Sequence, residues 1–187
     1  MKYWPIKNSI SNSIPKTGTF GGFWEERDEG FNAGVDIYAN DDKDVLAIES
    51  GVIIDIDKFS IENQEGLLDS HFVVIKSLDK MNYKYCEIIP YELKIGQKIE
   101  AGQKIGVLSK LYNENILNHN TPIHIRENIS QGLLYKLHLE LYKAPFSEVR
   151  PYKLGNYLGE DKPKSLLNPF VFLSSLKSNF SNSPINL

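Results

Sequence analysis

Catalysis or metal binding in this sequence would have to be built from few residues. Its imidazole and thiol groups are His71, His119, His124, His138 and a single cysteine, Cys86. One cysteine forms no internal disulfide and cannot supply the several thiolates of the common structural zinc modules. His119 and His124 are five residues apart in Asn118-His119-Asn120-Thr121-Pro122-Ile123-His124. That spacing does not put two ligands on one helix face, so the stretch reads as a surface loop. His138 stands in a different setting. Over 133–142, Leu137, Leu139 and Leu141 alternate with Lys136, His138 and Glu140, the period of a strand with one apolar face and one polar row.

The elements that must position this row are mostly strands. Segments 44–57, 72–77, 83–89 and 134–142 are short, rich in β-branched and aromatic residues, and bounded by Gly, Asn and Asp, which predicts an all-β fold of antiparallel sheets in a small sandwich or barrel. A short helix is expected over 109–117. Gly96-Gln97-Lys98-Ile99 and Gly102-Gln103-Lys104-Ile105 form an internal repeat. Each glycine can take positive φ at a tight turn, giving a double bend with Ile95, Ile99 and Ile105 as expected inward anchors.

The 187 residues, 41% hydrophobic, suffice for one globular domain. Ser/Asn-rich stretches at 8–12 and 174–186 lack apolar periodicity and read as tails, so the expected division is an extension at 1–18, a β domain at 19–173 and a tail at 174–187. With 21 basic and 24 acidic residues in no long run, nothing points to nucleic acid as a partner. No segment approaches the roughly 20 apolar residues that span a bilayer, and the N-terminus lacks the apolar stretch of a secretory signal. As written the chain is expected in the cytoplasm; trimmed behind a signal peptide, it would belong to the cell envelope or be secreted.

Several short motifs, in order, resemble those of the lysostaphin-type zinc endopeptidases of peptidoglycan, which share the duplicated hybrid motif fold. Asn32-Ala33-Gly34-Val35-Asp36-Ile37 is similar to the motif in which a His lies four residues before the Asp of a GVDI strand. Val45-Leu46-Ala47-Ile48-Glu49-Ser50-Gly51-Val52-Ile53 and Phe72-Val73-Val74-Ile75-Lys76 are similar to the next two strands. Tyr85-Cys86-Glu87-Ile88 stands where the family writes Y-x-H-L. The bend over 93–107 follows, then Lys136-Leu137-His138-Leu139-Glu140 in place of H-x-H with its trailing apolar residue and Glu. Leu167-Asn168-Pro169-Phe170-Val171-Phe172-Leu173 resembles the closing motif. The likeness covers about 19–173.

That resemblance implies a zinc held by a His, an Asp and the second His of H-x-H, with two further histidines handling protons. By position this chain keeps Asp36 and His138, carries the amide of Asn32 at the third ligand position, and has Glu87 and Lys136 where the proton-handling histidines belong. Zinc at an Asp36–His138 remnant is the lesser expectation; a structural carboxylate–imidazole pair is the greater. Glu87 and Lys136 are expected to pair with each other. The implied function is a non-catalytic peptidase-like domain that binds a cell-wall peptide or glycan, or a protein partner, through a groove lined by Phe23, Trp24 and Tyr38. Two alternatives are a zinc endopeptidase with a rebuilt site that includes Glu87 as a ligand, and a lipoyl- or biotinyl-type carrier suggested by Asp79-Lys80-Met81. The latter reads more simply as a turn between two strands.

Overall fold

The computed structural model describes residues 2–6, 14–41, 43–59, 68–113 and 123–181. In chain order the elements are β1 (Glu26–Arg27), β2 (Gly30–Asn32), β3 (Val35–Ala39), β4 (Asp44–Leu46), β5 (Gly51–Lys58), β6 (His71–Ser77), β7 (Met81–Pro90), β8 (Lys98–Ile99), β9 (Lys104–Leu108), α1 (Ile123–Ser130), β10 (Tyr135–Lys143), β11 (Tyr152–Lys153), β12 (Asn156–Tyr157), β13 (Leu166–Leu167) and α2 (Pro169–Ser181). The expected antiparallel, mostly β architecture is present.

Two sheets form. The larger has nine strands along the path β13-β10-β7-β6-β5-β8, with β3 on β10 and with β9 joining β4 to β7; the smaller runs β1-β2-β12-β11. Strand β10 is the hub, because it pairs with β3 and β7 on its two edges and then with β13. Its leucines, with Tyr83 and Tyr85 of β7 and Val35 and Ile37 of β3, enter the main core, as period-2 alternation requires.

The Gly-Gln repeat is two copies of one turn. Gly96 and Gly102 both have positive φ. The Gln97 Oε1 accepts the amide of Lys94, and the Gln103 Oε1 accepts that of Glu100, so each glutamine ties the start of the bend that precedes it. Ile99 and Ile105 are buried as expected. Ile95 is not: it is 65% exposed, because it occupies the tip of the turn closed by Gln97 N to Lys94 O.

Three other expectations are corrected. Residues 109–113 are extended rather than helical, with Lys110 bridged to Tyr135 and Leu111 N bonded to Leu134 O; residues 114–117 lie outside the described set. A helix instead begins at Ile123, so His124 is in α1 and not in a loop; His119 lies outside the described residues. At the C-terminus α2 continues to Ser181, past the expected boundary at 173. Leu173 and Leu176 are both buried on one helix face, and Asn168 caps the helix by accepting Phe170 N at 3.0 Å, with Pro169 at its first turn.

The N-terminal extension also belongs to the domain. Ile6 is fully buried and bridges Val45, and Tyr3 N bonds Ile48 O, adding an edge segment beside β4. The stretch 8–12 lies outside the described residues. Lys80 sits in the β6–β7 turn, its amide bonded to Ser77 O, as an ordinary hairpin residue.

The two isoleucines of the repeat should separate sharply in unfolding experiments. Ile105→Ala should lose about 2–5 kcal/mol by denaturant titration, as for a buried large-to-small change, whereas Ile95→Ala should stay within about 0.5 kcal/mol of the parent.

Candidate functional site

Register alone brings the polar row into contact with its partners. His138 is the Cα partner of Asp36 on β3 and of Cys86 on β7; Lys136 is opposite Tyr38, and Glu140 is opposite Lys84. Residues opposed in this way have Cβ atoms about 5 Å apart, so the side chains form one continuous polar layer. The smaller sheet and the hairpin turn Leu154–Gly155 cover it. A Cβ on Gly155 would lie 2.8 Å from His138 Nε2, and Gly155 has φ +84°, so only glycine fits there. Asp36 and His138 are each only 2% exposed.

The charges in this layer alternate. The Asp36 carboxylate accepts three donors: His138 Nδ1 at 2.8 Å on one oxygen, and the Arg27 guanidinium at 2.8 Å and the Lys136 ammonium at 3.1 Å on the other. Arg27 is held in turn by two bonds to Glu25 Oε2 and one to Asn156. His138 Nε2 lies 3.1 Å from Glu140 Oε1. With a carboxylate oxygen at each ring nitrogen, the imidazole must donate from both, which is the imidazolium form.

Glu140 is the second hub. It accepts the hydroxyls of Tyr142 and Tyr152 and lies 3.5 Å from the Lys84 ammonium. Lys84 is fully buried; it bonds Glu148 at 2.6 Å and Tyr152 at 2.7 Å and sits over the rings of Phe72 and Tyr152. A buried lysine stays charged only when compensated in this way.

Burial acts against every charge in the layer, and the partners outweigh it in most. Desolvation pushes Asp36 up, but Lys136, Arg27 and His138 hold it well below the ordinary carboxylate range. Glu140 is likewise pushed up by burial and drawn down to about 2 by Lys84 and His138. Lys136 loses solvation, yet Asp36 and Glu87 raise it. His138 is lowered by burial but raised overall by Asp36 and Glu140. Glu87 is the exception, since burial raises it more than Lys136 lowers it.

The expected Glu87–Lys136 pair is present, with Nζ 3.5 Å from Glu87 Oε2, and so is the Asp36–His138 pair. Asn32 is fully buried, but its Oδ1 accepts the amide of Gly34 at 3.1 Å. Its oxygen is therefore committed to backbone, and its Nδ2 is a buried donor without a hydrogen-bond partner. A zinc ion at this position would need a lone pair from His138 and an oxygen of Asp36. Both His138 nitrogens face carboxylates, and Asp36 is engaged by three cations, so this donor set does not fit zinc. Among the described residues no group of three or more His, Cys, Asp or Glu side chains is arranged to hold a metal.

Arg27, Glu25, Lys84, Glu148 and Tyr152 were not singled out from the sequence. They lie outside any recognisable motif and reach the layer from hairpins or by strand register. Period-2 alternation in Tyr83-Lys84-Tyr85-Cys86 was the signal available for Lys84. The aromatic lining also differs from expectation. Phe23 is in the main core, and half-buried Trp24 stacks on Phe31 at 4.7 Å. Tyr38 is half-buried under exposed Phe20, 6.0 Å away.

Two measurements test this layer. Gly155→Ala should destabilise by more than the roughly 1 kcal/mol of placing alanine at positive φ, because the methyl also collides with His138. The pH dependence follows from the shifts. Asp36 and Glu140 stabilise the fold above their ordinary values of 3.8 and 4.5, and this contribution is lost as pH falls through their depressed values. His138 stabilises below its ordinary 6.5, and its contribution is lost as pH rises through its raised value. Urea midpoints should therefore peak between these limits, and Glu140→Gln should flatten the acid limb while lowering stability throughout.

With this geometry in place, comparison with known proteins is informative. No curated protein matches the chain. Among solved structures, the catalytic domain of the antimicrobial peptidase lysostaphin from Staphylococcus simulans aligns at 20% identity and TM-score 0.51, over 82% of this chain and 89% of that one. A second lysostaphin structure from the same organism aligns at 18% identity and TM-score 0.56, over 100% of this chain and 61% of that one. At this identity the likeness is one of fold. The sequence profile of peptidase family M23 matches residues 30–131, more than half of the chain, and with the β10-centred sheet it establishes that this protein belongs to peptidase family M23.

Proposed function

We propose that this chain is a non-catalytic member of its family, a recognition domain for a cell-wall peptide or glycan that binds at the surface above the closed charge layer. The observation that carries the reading is the occupation of Asp36 and His138 by internal partners. Lys136 and Arg27 neutralise the carboxylate that a metal would need, and Glu140 takes the second nitrogen of His138. Hydrolysis of a peptide bond needs a polarised carbonyl, an activated water and a group that moves protons. Here both imidazole nitrogens are bonded to carboxylates, which favours the protonated ring, and Asp36 and Glu87 favour the protonated form of the lysine. Groups held in their protonated forms are poor acceptors of a proton from water.

What supports recognition is the surface left beside this layer. Exposed Phe20 lies flat on Tyr38, Tyr38 is opposite Lys136 in register, and the Glu87–Lys136 pair retains partial exposure at 16% and 13%. Aromatic faces beside a charged pair suit peptides and sugars. The altered zinc endopeptidase remains the competing reading, since Glu87 supplies a further carboxylate close by.

Elemental analysis of protein purified without chelator should find far less than one zinc per chain, and chelator should leave the thermal midpoint unchanged. Soluble peptidoglycan fragments should shift amide resonances around Phe20, Tyr38 and Glu87 without being cleaved. Stoichiometric zinc together with chelator-sensitive cleavage would establish the competing reading instead.

A further inference from the structure

Glu87 is unusual in three independent respects. It is the extra residue of a bulge: on β6, His71 faces Ile88 and Phe72 faces Cys86, leaving Glu87 unpaired between them. Its φ is +63°, a left-handed conformation that costs a non-glycine residue about 1 kcal/mol or more and persists where the surroundings impose it. Its Oε2 is buried without a hydrogen-bond donor; the ion pair to Lys136, at 3.5 Å, is long for such a bond. Bulges commonly re-aim a side chain beside a functional site.

Glu87 lines a cavity of about 50 Å³ walled by Phe59, Leu68, Leu111 and Leu154, with Lys110 also on its lining. Ser70, the remaining polar residue there, gives its hydroxyl proton to Phe59 O at 2.6 Å and leaves the carboxylate unserved. The walls are held by backbone bonds from Leu68 N to Leu111 O and from Ser109 N to Glu87 O. At roughly 10–15 Å³ for each water-sized occupant, the space takes about three to five non-hydrogen atoms.

We propose that this cavity binds a primary α-ammonium group on a short aliphatic unit, with the ammonium donating to Glu87 Oε2. An ammonium supplies the donor that the buried oxygen lacks, and a charge-assisted bond of this kind is among the stronger hydrogen bonds. The apolar walls accept one or two carbons. Lys110 and Lys136 disfavour a bare cation and favour an ammonium accompanied by a carbonyl or carboxylate, the chemistry of a free amino acid or of a peptide amino terminus. The inference deepens the recognition function proposed above, and it rests on that reading only for the ligand being part of a cell-wall peptide.

Titration with alaninamide, L-alanine and alanyl-alanine, followed by NMR shifts of Glu87 and its neighbours, tests the site directly. Affinity in the millimolar range is what a ligand the size of alaninamide or alanine, about six non-hydrogen atoms, delivers when only part of it enters the cavity. Alaninamide and alanyl-alanine binding with alanine excluded identifies a peptide terminus; alanine binding at least as well identifies a free amino acid. N-acetyl-alaninamide, which has no ammonium, should not bind. Glu87→Gln should weaken alaninamide about tenfold or more, the loss of one hydrogen bond to a charged group. Glu87→Gly, which suits positive φ, should keep the fold and also lose binding. Equal binding of the acetylated compound, undiminished binding by folded Glu87→Gln, or no binding of any amine overturns the proposal, whatever peptidoglycan fragments do elsewhere on the surface. Conversely, amine binding without fragment binding leaves this site standing and removes the cell-wall reading.

Discussion

The carboxylate of Asp36 is the point on which the rest of the site depends. It is buried on β3 beside the hub strand β10, where an uncompensated negative charge would be very costly, and something positive must accompany it. This chain meets the requirement with its own side chains: a guanidinium from the β1–β2 hairpin, an ammonium two residues along β10, and an imidazolium directly opposite in register. Once those three are in place, the neighbours follow. Arg27 needs Glu25, His138 needs Glu140, and Glu140 is balanced by Lys84 and two tyrosine hydroxyls. The polar layer is a chain of alternating charges in which each member is the reason for the next.

Such a layer is not an efficient source of stability, since buried ion pairs often do no better than well-packed apolar residues of the same volume. It does impose geometry. Every partner is specified by charge and hydrogen-bond direction, so the hairpins carrying Arg27 and Tyr152 can seat in only one way on β10. The glycine at 155 completes the closure, because it brings the β11–β12 turn against the imidazole where any side chain would be too large. The same construction that orders the small sheet thus shields Asp36 and His138 from solvent.

What is left accessible lies at the end of the layer. Glu87 has a partner in Lys136, yet it carries a strained backbone, a buried oxygen without a donor and a small cavity beside it. Glu87 Oε2 and Asn32 Nδ2 are the members of this region whose hydrogen bonding is incomplete, and of the two Glu87 is the one that lines a cavity, so an added group would find a polar partner there.

Much of this was legible in the sequence. The alternation of 136–141 specified a strand with leucines on one side and Lys136, His138 and Glu140 on the other; the ordered short motifs specified the family fold; and residue type placed Asn32, Glu87 and Lys136 at positions where the resemblance implies histidines. Identity and period suffice for these because they act locally, through the pleat and through side-chain type. Other features were decided by tertiary structure. Arg27 reaches Asp36 only because a hairpin folds back over β3. Lys84 meets Glu140 only through cross-strand register, Ile95 is exposed because it occupies the tip of its turn, and the helix over 169–181 forms because Leu173 and Leu176 find a surface to cover. Each depends on residues far apart in the chain coming to share a small volume, and local pattern does not encode which distant charge or surface will arrive there.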